Sequence, residues 1–240
     1  LAQSWHCPDA ILAWVDGGEL KIGPIGEYLP FRERSEELVR IDCDHLEEAR
    51  QSRASGALTA SGTMAVCRRL DIPMAITCGM GGIGDLRGEE LCPDLPALMN
   101  IPVALISTSP KDMLDRPATL DWLRRHGVHT AGEPCTGYLF CGEPVALELP
   151  LSSCNNEAAV RRLTANGGLL LLNPIPEKER VQDRSILVDA IKAGKQAEAE
   201  GHYYHPAANG EIDRRTGGYS SRIQLESIQQ NYLLAKSIMD

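Results

Sequence analysis

Three short, unbroken apolar segments are the feature that most constrains the fold of this chain. They cover residues 74–78, 101–107 and 168–172, and polar or amphipathic stretches separate them. A strand with one solvated face alternates apolar and polar residues, whereas a strand buried on both faces is apolar throughout. Because such strands need helices on both sides, the sequence predicts an α/β fold: a single α/β/α layered domain over residues 1–240, around a mainly parallel or mixed central sheet.

Turn and helix signals predict further elements around this sheet. Two apolar runs flank the turn sequence Asp-Gly-Gly at 16–18, as expected for a β-hairpin. Amphipathic spacing predicts one charged helix over 38–53, with Asp42 or Asp44 as its N-cap. The hairpin strands are predicted at 11–15 and 19–22, and the other helices at 62–70, 117–126, 184–200 and 220–239.

Charge and composition argue against several classes of protein. Acidic residues outnumber Lys and Arg by 33 to 24, the net charge is −9, and aromatic residues make up 5% of the chain. A nucleic-acid binder needs a cationic surface and stacking platforms, so we do not expect a nucleic-acid polymer as a partner. No apolar run approaches the roughly 20 residues that cross a bilayer, so no membrane is expected either. Eight scattered cysteines without a zinc-binding spacing indicate a reducing, cytoplasmic location.

A run of glycines follows the first apolar segment. Gly79, Gly81 and Gly84 match the dinucleotide-binding spacing G-x-G-x-x-G. A dinucleotide-binding fold also needs a helix at the third glycine and an acidic residue at the end of the next strand, and the sequence indicates neither. Two interpretations remain open. The glycines form a structural turn, or they let the backbone approach a ligand phosphate closely, which we favour.

Lys111 stands just beyond the second apolar segment, after the polar residues 107–109. A lysine at such a position is commonly a surface residue, but partial burial would lower its pKa and make it a nucleophile toward carbonyl groups. Three carboxylates, Glu89, Glu90 and Asp94, follow the glycines. They form either a solvated acidic loop or a site for a hard divalent cation. These residues alone indicate an α/β enzyme acting on a sugar phosphate or another small ligand.

Short segments along the whole chain carry a resemblance to a known family. They are AILAWVDG at 10–17, GALT at 56–59 with GTM at 62–64, GGIG at 81–84 with RG at 87–88, DL at 94–95, KDMLD at 111–115, NPIPE at 173–177 and TGG at 216–218. One such motif would be weak evidence, but their shared order spans nearly the whole chain. The sequence therefore resembles the pseudouridine-5′-phosphate glycosidases, also called indigoidine synthase A-like proteins.

The resemblance implies an activity and a chemistry. Members of the family resemble a single α/β/α domain, often a homotrimer. They cleave the C–C glycosidic bond of pseudouridine 5′-phosphate to uracil and ribose 5-phosphate with a divalent metal, typically manganese. Protonation of an oxygen cannot expel a carbon leaving group, so the two-carboxylate route of ordinary glycosidases does not suit this bond. In the family a lysine forms a Schiff base with C1′ of the opened ribose, and the iminium serves as an electron sink.

The resemblance also implies roles for particular residues. Lys111 takes the position of the nucleophilic lysine and lies seventeen residues after Asp94, as in the family pattern. Glu90 stands where the family has the aspartate that binds the metal, and its side chain is longer. Arg40 stands where the family has a substrate-binding lysine and keeps its positive charge. The residues expected to bind the substrate are Arg40, Ala60, Gly81, Gly82, Cys92, Pro93, Asp94 and Asn173.

Departures from the family pattern leave the activity open. Cys92 and Pro93 replace a serine and an alanine in the substrate-binding stretch. The family's catalytic glutamate belongs before Ala10, and residues 1–9 contain no glutamate. Either sequence before Leu1 supplies it, or the chain is a divergent member. A divergent member would be an impaired binder of sugar phosphates, or a C-glycosynthase that runs the reversible imine chemistry toward synthesis.

The histidines do not match functional positions of the family. The loop after Gly84 is shorter than in the family and lacks the histidine expected before Arg87. His202 and His205 lie close together in the sequence and could bind a metal, but we expect them in a solvated loop.

Overall fold

The protein, described here from a computed structural model, has helices on both faces of a parallel sheet. The structure describes residues 4–84, 91–165, 167–202 and 204–240. The strands are β1 Leu12–Asp16, β2 Glu19–Gly23, β3 Val39–Ile41, β4 Gly56–Leu58, β5 Met74–Ile76, β6 Gly79–Met80, β7 Ala104–Ser107, β8 Ser109–Pro110, β9 His129–Gly132 and β10 Leu169–Leu172. The helices are α1 Ile25–Arg32, α2 Leu46–Gln51, α3 Ala60–Arg69, α4 Asp94–Asn100, α5 Arg116–Arg125, α6 Glu157–Thr164, α7 Ser185–Ala199, α8 Tyr204–Arg215 and α9 Tyr219–Met239.

The central sheet has the strand order β5-β7-β10-β9, and all its neighbouring strands are parallel. Its side chains alternate between two apolar layers. Leu105 and Leu170 belong to a cluster with residues of α3, α4 and α5. Ile106 and Leu171 belong to a cluster with residues of α6 and α9. The α/β prediction from the three apolar segments is therefore confirmed, because each segment supplies a strand buried on both faces.

A second sheet has the order β2-β1-β4-β3. The predicted hairpin is confirmed as β1 and β2. The predicted helix over 38–53 is wrong, because residues 39–41 form β3, parallel to β4, and the helix α2 begins only at Leu46. The physical reason lies in Asp42, whose Oδ1 accepts the backbone N–H groups of Asp44 and His45 at 3.0 and 3.1 Å. This local hydrogen bonding competes with a continuous helix.

Strands β5 and β7 continue beyond the main sheet as the short parallel pair β6 and β8. The connection is hydrogen-bonded throughout: the Thr77 N–H donates to the Ile106 carbonyl at 2.9 Å, and the Thr108 N–H donates to the Cys78 carbonyl at 2.7 Å. The first two glycines of the glycine run therefore lie in a paired strand or next to it. This pairing places the residues after Met80 and after Pro110 side by side at the carboxyl end of the sheet.

The last three helices form a layer with its own apolar cluster. Residues of α7, α8 and α9, including Ile186, Ile212 and Ile223, pack with the segment 138–140. The helix α9 also contacts β5 and β7, so it bridges this layer and the central sheet. Among the described residues, no helix combines the length and the apolar composition that a membrane span requires.

Candidate active site

Lys111 lies at the carboxyl end of the parallel strands, directly after β8. Its side chain is partly buried, and among the described residues its ammonium group has no hydrogen-bond or ion-pair partner. Burial lowers the pKa of this amine from its ordinary 10.5, and the positive charge of Arg40 lowers it further. The carboxylate of Asp94 acts in the opposite direction. The net result is an amine that loses its proton more readily than a surface lysine does.

The backbone of Lys111 is fixed by the glycine segment. Its N–H donates to the Met80 carbonyl at 3.2 Å, and its own carbonyl accepts the N–H of Leu114 at 3.0 Å. The lysine therefore begins a turn that leads into α5, whose N-cap is Asp115. Strand pairing and the helix cap together hold the backbone that carries the amine.

Arg40 acts on this amine from the second sheet. It lies in β3, in register with Ala57 of β4, and its side chain is exposed. It forms no ion pair with any residue that the structure describes. A guanidinium without a protein counter-ion offers a planar fork of donors that matches a phosphate or a carboxylate.

Asp94 joins two of the predicted substrate-binding segments. It is the first residue of α4 and is only 6% exposed. Its Oδ1 accepts the backbone N–H of Ser61 at 3.0 Å, in the first turn of α3 and next to Ala60. Its Oδ2 accepts the backbone N–H of Gly81 at 2.8 Å. This carboxylate therefore ties the start of a helix to the glycine segment, and it occupies the donor that Gly81 would otherwise offer to a ligand.

The glycines permit close packing against the protein's own side chains. A Cβ added at Gly81 would lie 2.0 Å from the Sγ atom of Cys92 and 3.0 Å from Oδ2 of Asp94. A Cβ at Gly82 would lie 2.6 Å from the Oγ1 atom of Thr119. Both glycines are thus required by contacts within the molecule, while the approach of a ligand phosphate to them stays a prediction.

Two thiols belong to the electrostatic surroundings of Lys111. Burial raises the pKa of Cys92 to about 11, and the nearby charge of Asp94 adds to the effect. Burial also raises the pKa of Cys78 to about 11. Both groups are therefore protonated, uncharged thiols at neutral pH.

Two further predicted residues lie at element ends. Pro93 is the N-cap of α4. Asn173 directly follows β10, and its Nδ2 donates to Oδ1 of Asn231 in α9 at 3.0 Å. The Asn231 Nδ2 in turn donates to the Thr77 carbonyl at 2.8 Å and to Oγ1 of Thr108 at 3.3 Å. The hydrogen bond of the Asn173 amide thus connects it to the α9 side of the sheet rather than to Lys111.

The predicted metal ligand, Glu90, lies outside the described residues. Within the part of the chain that the structure describes, no group of three or more His, Cys, Asp and Glu side chains could hold a metal ion. Both carboxylate oxygens of Asp94 already accept backbone N–H groups. The described residues therefore do not by themselves fit a manganese site, and the chemistry argued below uses no metal ion.

Two residues that the sequence did not assign to the site also surround Lys111. The expected solvated loop is wrong for His205, which lies in the first turn of α8 and is partly buried. Pro206 beside it is the sequence signal for a helix start.

Asp112 follows the lysine, and its carboxylate accepts the backbone N–H groups of residues 138, 139 and 140 at 2.9, 2.6 and 3.1 Å. This carboxylate fixes the 138–140 segment beside the lysine.

The fold and the site define an α/β protein with a partly buried amine at the carboxyl end of its parallel sheet and a guanidinium on the second sheet, and neither cation has a charge partner among the described residues. The family described as indigoidine synthase A like protein matches residues 7–239. The chain belongs to this family, and the resemblance inferred from its motifs is confirmed.

Relatives and solved structures agree with this assignment. The pseudouridine-5′-phosphate glycosidase of Methylobacterium nodulans is 29% identical over 243 residues, which cover 95% of this chain and 71% of the relative. The prealnumycin C-glycosynthase AlnA, solved in complex with ribulose 5-phosphate, has a TM-score of 0.76 at 22% identity, covering 95% of this chain and 80% of that chain. An indigoidine synthase A-like protein from Thermotoga maritima has a TM-score of 0.76 at 20% identity, covering 94% and 78%. The two solved structures show a shared fold.

Proposed function

We propose that this protein cleaves, reversibly, the C-glycosidic bond of pseudouridine 5′-phosphate or of a related ribosyl phosphate, giving the nucleobase and ribose 5-phosphate. Lys111 forms a Schiff base with C1′ of the opened sugar, and Arg40 binds the phosphate. The names of the curated relatives support the substrate class. One observation carries the proposal: the partly buried Lys111 amine, whose pKa is lowered, has no charge partner among the described residues and lies near an equally unpaired Arg40.

Schiff-base chemistry requires a neutral amine, because an ammonium group has no lone pair with which to attack a carbonyl carbon. Burial and the Arg40 charge both favour the neutral form of Lys111. Once the imine has formed, its protonated form withdraws electrons from the sugar carbon. The bond between C1′ and the base carbon then breaks or forms as acid–base groups move a proton at the base ring.

Arg40 suits the phosphate because it supplies charge without a competing protein partner. Binding a phosphate dianion there also selects substrates that carry their carbonyl carbon at a fixed distance from an anion. The Asp94 carboxylate holds the segments around the amine through Ser61 and Gly81 and keeps a negative charge near the sugar. Asp94, Ser61 and Gly81 thus position the groups around the amine in advance and do not act as acids.

Borohydride trapping tests the proposal. Purified protein incubated with ribose 5-phosphate and then reduced should gain the mass of one reduced sugar phosphate, and peptide mapping should locate it on Lys111. The variant Lys111→Ala should gain no mass, while Lys178→Ala, which changes an exposed lysine, should be labelled like the wild type. Labelling at other lysines, or equal labelling of Lys111→Ala, would rule the mechanism out. Binding of ribose 5-phosphate without any trapping would indicate a sugar-phosphate binder without chemistry.

A second candidate is synthesis rather than cleavage. The shared fold with a C-glycosynthase solved with ribulose 5-phosphate favours it. The two candidate enzymes use the same imine and differ in the acceptor that they take. Incubation with ribose 5-phosphate and either uracil or a foreign aromatic acceptor distinguishes them, because a C-glycosynthase forms product with the foreign acceptor and a pseudouridine-specific enzyme forms it with uracil.

A further inference from the structure

Three successive backbone N–H groups bind the carboxylate of Asp112, the residue directly after Lys111. Its Oδ1 accepts the N–H of Tyr138, and its Oδ2 accepts those of Leu139 and Phe140. Hydrogen bonds to an ionised group are roughly twice as strong as those between neutral groups. The donors lie 26 to 28 residues further along the chain, so these bonds join two separate parts of the site.

Gly137 shapes the backbone that receives this carboxylate. Its φ angle is +123°, which side chains disfavour, and an added Cβ would lie 2.0 Å from the carbonyl oxygen of Phe140. A glycine here lets the next three N–H groups turn toward one point. Successive backbone N–H groups of this kind form a concavity that binds anions. In this protein the Asp112 side chain fills the concavity.

The segment that binds Asp112 is itself anchored to other parts of the fold. The side chains of its three residues are buried. The Leu139 carbonyl accepts the N–H of Val181 at 2.8 Å, and the Tyr138 hydroxyl donates to Oε1 of Gln224 in α9 at 3.2 Å. Because these contacts fix the segment, its hydrogen bonds to Asp112 hold that residue against a rigid part of the molecule.

The backbone of Lys111 is therefore held on both sides. Its own N–H donates to the Met80 carbonyl at 3.2 Å, and the next residue is held by its carboxylate. We propose that Asp112 is a positioning residue, which fixes the direction from which the Lys111 amine meets C1′ of a bound sugar phosphate. The inference rests on the proposed function of Lys111. A displacement of about 1 Å in a reacting group can cost about 10²-fold in rate.

Two aldehydes of different size test this role. In Asp112→Asn an NH₂ group faces backbone N–H groups, so the anchor is lost. With saturating ribose 5-phosphate, the rate of reducible adduct formation at Lys111 should fall about 10- to 100-fold. With formaldehyde the rate at Lys111 should change less than about threefold, because a small unbound aldehyde reaches the amine from many directions. Labelling of the exposed Lys178 is the internal reference.

A matched control and a conservative variant separate positioning from general loss of structure. The Oδ1 atom of Asp213 accepts the Ser220 hydroxyl at 2.9 Å and the Ser221 N–H at 3.0 Å. Asp213→Asn therefore weakens comparable bonds between α8 and α9 and should leave both adduct rates unchanged. Asp112→Glu keeps both acceptor oxygens on a longer side chain and should retain more of the ribose 5-phosphate rate than Asp112→Asn does.

The remaining outcomes are distinct. Equal losses with both aldehydes in Asp112→Asn would mean that Asp112 acts on the proton affinity of the amine or on the fold as a whole. Unchanged rates with both aldehydes would mean that Lys111 needs no such anchor. Either result overturns the inference and leaves the Lys111 mechanism intact. If the wild type forms no adduct with ribose 5-phosphate, the proposed function is refuted and the inference falls with it.

Discussion

At the scale of the residue, the candidate site consists of polar groups whose ordinary partners are missing. Lys111 and Arg40 are cations without a counter-ion among the described residues, and His205 has a buried nitrogen without a hydrogen bond. Lys111 and His205 are partly buried and cost stability, because each loses part of its hydration without gaining a partner. Lys111 lies at the carboxyl end of the central sheet, and its charge and that of Arg40 both act on His205, which is the pattern expected of a site that a ligand completes.

The effect of the Arg40 charge should be measurable in the pH dependence of adduct formation at Lys111. Its removal in Arg40→Gln takes away a cation that disfavours the ammonium, so the pKa of Lys111 should rise and the amine should react at higher pH. Reductive trapping of a phosphate-free aldehyde across a pH series measures this shift without involving phosphate binding. Arg34→Gln, which removes an arginine paired with Asp16, is the control and should leave the curve unchanged. Identical curves for the two variants would contradict the assigned charge effect.

Single residues were predictable from the sequence to different degrees. Lys111 was found because a lysine directly after a buried strand is chemically conspicuous and matches a family motif. Arg40 was found only through the resemblance, because an exposed arginine has no local signal. His205 was missed because its proximity to Lys111 arises from packing between elements nearly a hundred residues apart. No local sequence pattern encodes such long-range proximity.

At the scale of the element, close packing of the glycine segment against the start of α4 shapes the site. Gly81 donates to Asp94 and leaves no space for a side chain beside Cys92. The sequence indicated a glycine loop after a strand, and the strand was confirmed. It could not indicate that the glycines pack against a residue eleven positions later, because this depends on the three-dimensional path of the chain.

Gly81→Ala should test this packing directly. The new Cβ would collide with the Cys92 sulfur, and overpacking of this kind costs about 1–3 kcal/mol of unfolding free energy, measured by urea denaturation. The double variant Gly81→Ala/Cys92→Ala should recover most of this loss, because the colliding atom is gone. Gly210→Ala, in α8 with no atom within 4 Å of the added Cβ, should instead stabilise by roughly 0.5–1 kcal/mol. If the changes in unfolding free energy from Gly81→Ala and Cys92→Ala simply add in the double variant, then movement of other atoms relieves the collision.

At the scale of the whole molecule, the layers were predictable and several short elements were not. Continuous apolar segments predicted the α/β class because a strand buried on both faces is apolar at nearly every position. The three-residue strands β3 and β4 carry too few residues to show a period, and β3 was assigned to a helix. Helix α1 contains Gly26 and Pro30, which hide a helical pattern that tertiary packing nevertheless stabilises.

Asn231 connects α9 to the central sheet and should therefore support global stability. In Asn231→Leu the Thr77 carbonyl and the Asn173 amide lose their buried hydrogen-bond partner, which should lower the unfolding free energy by roughly 2–4 kcal/mol in urea denaturation. Gln230→Leu, an exposed neighbour on the same helix, should change it by less than about 0.5 kcal/mol. Equal effects in both variants would mean that α9 is held by its apolar contacts alone.

The raised pKa values of Cys78 and Cys92 have a consequence for chemoselectivity. In free amino acids a thiol loses its proton at lower pH than a lysine amine does. Here burial raises the pKa of both thiols to about 11 and lowers the pKa of the Lys111 amine from its ordinary 10.5, so the usual order is inverted. On the proposed mechanism, a sugar aldehyde bound beside Lys111 would meet a competent amine next to two protonated thiols. The burial that activates the amine would then also suppress thiohemiacetal formation, which diverts the aldehyde into an unproductive adduct.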